Sequence, residues 1–496
     1  MNFEFQSLVL TVALVALVGC ASYPLNEPLE EIDVSAGYRM ANRTLGEKNS
    51  DQMFVILALS GGGFRAAALD YGVIRYLDKI RFGDDRRSLL DEVDVISSSS
   101  GASLPAAYYG VFGKDVFLSD FLDDVLYKRM QSDYTWRVLN PGHWPRLVSG
   151  TFSRGDLMVE YLDREVFHER TYADMQQERP FVLLNATDMG QGTQFSFSQG
   201  HFDLICSDLS PFPVSRAVTA SMAFTPAFTA ITLKNYNDGR CGFVTPAWVT
   251  QALNEGVEQN PSLYATALDV VSYQDIDIRP FIHLLDSGVS DNMGIRSPAT
   301  AFTVRDSPAS QMDRVEDGTI KKLVIVLVNA RAKTDFSGDL SPKPPGMITS
   351  VMAAAGQPLD NFSFETVNLL RRDIQDTRSQ AIRYRENRRS CNALVKALTP
   401  DLDLDAADRK EAEEDCFEKF GVSDDDRPAD LDIYLVHISF DLLEDIEERE
   451  RFQLIPTTLQ LPAEDIDALV DIAPKIMHED SEFLHLMKDL DADVAD

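Results

Sequence analysis

Basic residues are scarce in this chain relative to acidic ones. Its 496 residues hold 46 Lys and Arg against 79 Asp and Glu, leaving a net charge of −33 and a pI near 4.5. Such a balance repels the phosphates of nucleic acid and argues against it as a partner. It also opposes electrostatic capture of the whole chain by anionic lipid. Long apolar runs are missing too. Beyond the N-terminus no stretch is long and charge-free enough to span a bilayer. There are only seven histidines and five cysteines, with no CxxC pair and no Cys/His cluster of zinc spacing, so no metal is expected. The acids of Asp401-x-Asp403-x-Asp405 open like a calcium loop, but Ala406 stands where glycine is needed and Ala412 where the closing glutamate belongs. Phosphate-loop signatures fail as well. The glycine run at 61–63 lacks a following Lys-Ser/Thr pair and does not fit GxGxxG. No cofactor is expected.

What is present begins at the N-terminus. Residues 1–19 hold an apolar stretch, Leu8 to Val18, too short for a stable span and with no Lys or Arg before it. Leu17-Val18-Gly19-Cys20 then resembles a bacterial lipobox, with cleavage before Cys20 and acylation of its thiol; an ordinary secretory signal is the alternative. Ala21 after the cysteine favours the outer membrane, facing the periplasm, over the inner one. The expectation is therefore a lipid-anchored protein of the bacterial cell envelope, attached to membrane through Cys20. Export fits the other cysteines. Cys206, Cys241, Cys391 and Cys416 allow three pairings in an oxidising compartment, and nearest-neighbour pairing, Cys206–Cys241 and Cys391–Cys416, is expected.

Residues 20–50, polar with Pro24 and Pro28, read as a flexible tether. From Met53 strands and helices alternate: strands at Val55–Leu59, Val93–Ile96, Pro180–Thr187, Phe281–Leu285, Lys322–Asn329 and Ile433–Phe440, with helices after the first two. That alternation predicts an α/β fold with a mainly parallel sheet flanked by helices. Residues 51–335 form the expected core. Residues 336–496, with a long charged helix running to about Leu398 and a lone late strand, are expected to complete the same domain. The segment 131–170, with Trp136, Trp144 and Leu147, reads as a cap or a surface excursion.

Three strand ends carry chemistry. After the first comes Ser60-Gly61-Gly62-Gly63-Phe64-Arg65-Ala66, whose backbone N–H groups lie at a helix start, where negative charge is favoured. After the second comes Ser97-Ser98-Ser99-Ser100-Gly101-Ala102-Ser103, a small-residue run suited to a strained strand-to-helix turn that exposes a serine. Two registers compete: Ser99 flanked by Ser97 and Gly101, or Ser100 flanked by Ser98 and Ala102. After the fourth strand comes Asp286-Ser287-Gly288, followed by Asp291-Asn292, which sets a carboxylate at the sheet's edge.

In this order the three segments resemble the patatin-like phospholipase family, especially its exported bacterial lipoprotein-type members. Pro180–Asp188, Phe212–Phe224 and Ile455-Pro456-Thr457-Thr458 fit as well, so the resemblance spans about residues 50–490. It implies a three-layer fold and selects Ser100 as nucleophile and Asp286 as its partner in a dyad without histidine. It further implies an oxyanion hole from Gly61, Gly62 and Gly63, Gly61 as loop former and the other two as N–H donors. Arg65 would pair with a lipid phosphate or steady the loop. The substrate would be a phospholipid or another acyl ester. Ser98, Ala102 and Ser287 stand where the family carries glycine, which motivates a rival reading: a silent envelope lipoprotein that binds lipid or protein.

Overall fold

The structure, a computed structural model, describes residues 25–225, 227–302, 310–333, 340, 342–398, 414–420 and 431–495. Cys20, the preceding leader and the acidic run at 401–405 lie outside the described residues.

Near-continuous aliphatic runs make the central strands, as expected where both faces of a sheet are covered. In chain order the main elements begin with β1 (Met53–Leu59), α1 (Gly63–Lys79), β2 (Val93–Ser98), α2 (Ser103–Phe121), α3 (Met130–Leu139), α4 (Trp144–Val148) and α5 (Arg154–Leu162). Next come β3 (Phe181–Asp188), β4 (Thr193–Ser196), α6 (Val214–Ser221), β5 (Ile231–Lys234), α7 (Ala247–Glu255), α8 (Pro261–Ser272) and β6 (Phe281–Leu285). The last are β7 (Lys322–Asn329), α9 (Met347–Leu398), β8 (Asp432–Ser439), α10 (Ala463–Glu479) and α11 (Ser481–Asp489).

These strands form one eight-stranded sheet in the order β8-β7-β1-β2-β3-β6-β5, with β4 also paired to β3. The five strands from β8 to β3 are parallel. β1 is buried at every residue, so the sheet lies between helical layers. α1 packs against α10, α2 and α6 against β3, and α11 against β8.

One feature differs from a simple parallel sheet. β6 runs antiparallel to β3, and only their C-terminal ends overlap: Leu284 opposite Asp188 and Leu285 opposite Thr187. β6 therefore enters the sheet from beyond its edge, and Asp286 arrives at the C-terminal edge of the parallel strands from the opposite direction. His283 lies on the exposed face of β6, its Nδ1 2.9 Å from Thr232 Oγ1.

The expected tether needs correction over residues 25–50, which pack on the fold. Glu27–Pro28 pairs with Ser207–Asp208, and the buried Tyr38 hydroxyl donates to the Val182 carbonyl at 3.0 Å. Arg39 forms a buried ion pair with Asp203 at 2.6 Å. Apolar and ionic partners hold this stretch, which a Pro-containing polar composition does not reveal. The structure joins Cys206 to Cys241 and Cys391 to Cys416. Among the described residues no helix is long and apolar enough to cross a membrane, and no acid, Cys and His cluster could hold a metal ion.

Candidate active site

Three loops meet at the C-terminal edge of the parallel strands: β1 and β2 end in register, Leu59 opposite Ser98, and β6, antiparallel to β3, brings in the third. The loop after β1 is tied to its neighbours by Ser60, whose N–H donates to Val328 O at 3.0 Å and whose Oγ accepts from Ala330 N at 3.0 Å. The loop after β2 is held by Ser99 N donating to Leu59 O at 3.0 Å.

Two glycines let these loops touch backbone to backbone. A Cβ on Gly101 would fall 2.5 Å from Gly63 Cα, and one on Gly63 would fall 2.6 Å from Thr458 O. Gly63 also has φ +60°, a conformation costly for any other residue.

Ser100 sits at the turn with φ +52°, one of few non-glycine residues of the described chain in the left-handed region. Such strain persists only where neighbours over-determine it. Here its N–H donates to Ser287 Oγ at 2.7 Å and to Ser221 Oγ at 3.0 Å. Ser99 and Ser287 share a further hydrogen bond of 2.7 Å, and Ser103 Oγ donates to Ser221 Oγ at 2.6 Å. The hydroxyls at 98 and 287, where the resemblance leads one to expect glycine, are thus absorbed: Ser98 Oγ donates to Leu183 O at 3.3 Å, and Ser287 braces the turn.

The turn aims Ser100 Oγ at Asp286, and its hydroxyl donates to Oδ2 at 2.8 Å. The other carboxylate oxygen accepts from Gly288 N at 2.8 Å. Asp286 is anchored through its N–H to Ala223 O at 3.2 Å, while its own carbonyl accepts from Thr187 Oγ1 at 2.8 Å. Burial pushes the carboxyl up to about 6, against the pull of the Gly288 N–H and the Ser100 hydroxyl. No basic side chain contributes to that balance, and no histidine bonds either member of the pair.

The N–H groups of Gly62 and Gly63 have no hydrogen-bond partner among the described residues. Both lie at the start of α1, whose dipole favours negative charge. Gly61 differs: its N–H donates to Asn292 O at 3.0 Å, so it shapes the loop and has no donor to offer.

Of the two roles open to Arg65, its contacts fit steadying the loop and not pairing with a lipid phosphate. The residue is 2% exposed, and its guanidinium donates from Nε to Ala330 O at 2.9 Å and from Nη1 to Ile455 O at 2.6 Å. These buried backbone partners hold it away from any lipid phosphate. It pins the glycine loop to the end of β7 and to the segment before Thr458.

The sequence gives no sign of the roles of Ser221 and Asn292. Ser221 lies in a segment noted only as fitting a pattern. Asn292 follows the Asp motif closely, and its side-chain oxygen packs so tightly beneath Gly61 that a Cβ there would collide with it. The arrangement presents a serine hydroxyl, a buried carboxylate in contact with it, and unpaired amides on the adjoining loop. That set can carry acyl transfer.

A family model described as patatin-like phospholipase matches residues 57–298. No curated protein matches the chain.

Proposed function

Residues 57–298 belong to the patatin-like phospholipase family, and from that premise we propose that this lipid acyl hydrolase works through a Ser100–Asp286 dyad and an acyl-enzyme. The observation that carries the reading is the 2.8 Å hydrogen bond from Ser100 Oγ to Asp286 Oδ2, made from a left-handed turn. Asp286 takes the hydroxyl proton as Ser100 Oγ bonds to the ester carbonyl carbon. The carbonyl oxygen becomes an oxyanion facing the N–H groups of Gly62 and Gly63. One such donor is typically worth about 3–4 kcal/mol in the transition state. As the tetrahedral intermediate collapses, Asp286 returns the proton to the departing alcohol. Water then repeats the sequence on the acyl-serine, releasing the acid and restoring Ser100. A carboxyl poised near 6 suits both halves, accepting and returning a proton near neutrality.

The substrate is a phospholipid or a related acyl ester, and the chain is held near it by an acylated Cys20 in the bacterial envelope, at the periplasmic side of the outer membrane. Leu17-Val18-Gly19-Cys20 and two disulfides suited to an oxidising compartment support that placement.

The test uses soluble p-nitrophenyl esters and a fluorophosphonate probe. S100A and D286N are each expected to lower turnover by at least about 10³-fold while keeping the fold, and the probe is expected to label Ser100 in the unaltered chain. Loss of activity in S99A with activity kept in S100A would move the nucleophile one residue. Folded protein that neither hydrolyses nor labels would establish the silent, lipid- or protein-binding reading in its place.

A further inference from the structure

Tryptophan is the rarest residue type here: the chain has three. Two of them stand on one face. Trp136 on α3 is 73% exposed and Trp144 on α4 is 53% exposed, beside Leu139 at 59% and Val148 at 84%. The patch is continuous. Trp136 and Leu139 line one surface cleft, Trp144 Nε1 donates to Val138 O at 3.3 Å, and Val148 lies one turn beyond Trp144. A contiguous exposed apolar patch of this kind marks an interaction surface.

Charge identifies what the surface meets. Over residues 128–154 there are five basic residues (Lys128, Arg129, Arg137, Arg146, Arg154) and one acid (Asp133); counting Glu160 and Glu165, which pair with Arg146 and Arg137, the face nets +2 within a chain of −33. Arg137 and Arg146 pair with Glu165 and Glu160 behind the patch, and Arg129 and Arg154 are exposed at its flanks. Charges beyond about 8–10 Å are screened at physiological salt, so the local face, not the total, decides contact with an anionic surface. Tryptophan, aliphatic side chains and arginine together are the composition of groups that settle at a bilayer's headgroup level.

The patch also adjoins the Ser100 site. Gln131 Oε1 accepts from Leu459 N at 3.1 Å and Ser132 Oγ donates to Gln460 at 2.7 Å. Two residues earlier, Thr458 O accepts from Phe64 N at 2.8 Å, against the glycine loop.

We propose that the α3–α4 face, centred on Trp136 and Trp144 and flanked by Arg129 and Arg154, docks on an anionic phospholipid surface. Docking there sets the mouth of the site against the bilayer, independently of any N-terminal anchor and of whether Ser100 is catalytic.

The test uses the full chain carrying S100A, so that vesicle lipids stay intact, in three single-tryptophan forms: W144F/W248F, W136F/W248F and W136F/W144F. Vesicles of phosphatidylethanolamine and phosphatidylglycerol are prepared with and without bromine on the acyl chains. Trp136 and Trp144 are each expected to lose at least about half their fluorescence to the brominated lipid. Trp248, packed against the Val249–Ala252 cluster, is expected to lose none. R129E/R154E should raise the vesicle concentration for half-quenching at least about tenfold, since each basic group near such a surface contributes about 1 kcal/mol. Equal quenching of all three tryptophans, or of none, overturns the proposal. So does a chain that is dimeric in solution and becomes monomeric in W136A/W144A, which would make the face a contact between copies. Hydrolysis of soluble esters by the unaltered chain is scored separately, so failure to dock and failure of the dyad remain distinct results.

Discussion

Asp286 is buried, accepts two hydrogen bonds and gains no help from a cation, and both its reactivity and its cost to the fold follow from that. Its carboxyl is raised from 3.8 to about 6, burial being the largest cause. As the proposed base it must be ionised, so kcat/KM on a soluble ester is expected to rise tenfold per pH unit below about 6 and to level off above it. Stability runs the other way. Below pH 3.8 folded and unfolded carboxyls are both protonated. Between 3.8 and about 6 the unfolded chain releases its proton while the folded one keeps it, so stability falls as pH rises through that window. A shift of this size corresponds to about 3 kcal/mol. D286N is therefore expected to be inactive yet to melt higher than the unaltered chain at pH 7.5, with the gap closing toward pH 4. A lower melting temperature for D286N at pH 7.5 would show that the ionised carboxylate stabilises the fold. The position of this acid was legible, because an apolar strand running into Asp-Ser-Gly puts a carboxylate at a sheet end. Its burial was not, since that depends on residues distant in sequence. Arg65 illustrates the same gap: its type suited a phosphate, and only the folded chain shows carbonyls 330 and 455 already occupying it.

Among elements, the site depends on how closely two loops approach. Gly101 and Gly63 meet where even one methyl group has no room. G101A is expected to push the loop after β2 off the glycine loop, costing about 1–3 kcal/mol of stability, as overpacking usually does. Activity should fall by about 10²-fold or more, because a displacement near 1 Å between reacting groups suffices for that. G356A within α9, where a Cβ meets nothing within 4 Å, serves as the control and should leave activity unchanged. If G101A keeps full activity, the close contact is not what positions Ser100. The strands themselves were readable because aliphatic runs fix them: Phe281–Leu285 and Lys322–Asn329 form over the expected residues. The direction of β6 was not readable. Local pattern defines a strand, but the route of the intervening chain through β4, β5, α7 and α8 decides which way it runs. The segment 131–170 was undecided for a related reason. Its exposed tryptophans do not follow an inward-facing period: they stand on α3 and α4 at the surface, while α5 buries Leu157, Met158, Tyr161 and Leu162.

Across the whole molecule, the residues after 335 are part of the support for the site. β8 pairs with β7 over eight residues, from Asp432 opposite Lys322 to Ser439 opposite Asn329, and α10 packs on α1. Ile455 O holds Arg65, and Thr458 backs Gly63. A chain ending at residue 335 would strip β7 of β8, its outer neighbour, and leave as the sheet's edge a strand whose middle six residues are buried. It would also uncover the face of α1 that meets α10 and free the glycine loop from both of its C-terminal contacts. An exposed, flat, apolar edge of that kind invites pairing with other chains. The truncated chain is therefore expected to accumulate as insoluble aggregate when the complete one is soluble, and to show neither cooperative melting nor fluorophosphonate labelling. Soluble, labelled protein ending at 335 would mean that the patatin-like segment is self-sufficient and that the later residues only decorate it. The family match ends at residue 298, so nothing in that match anticipates the dependence. It follows from the lone late strand, which has no sheet to join except the first.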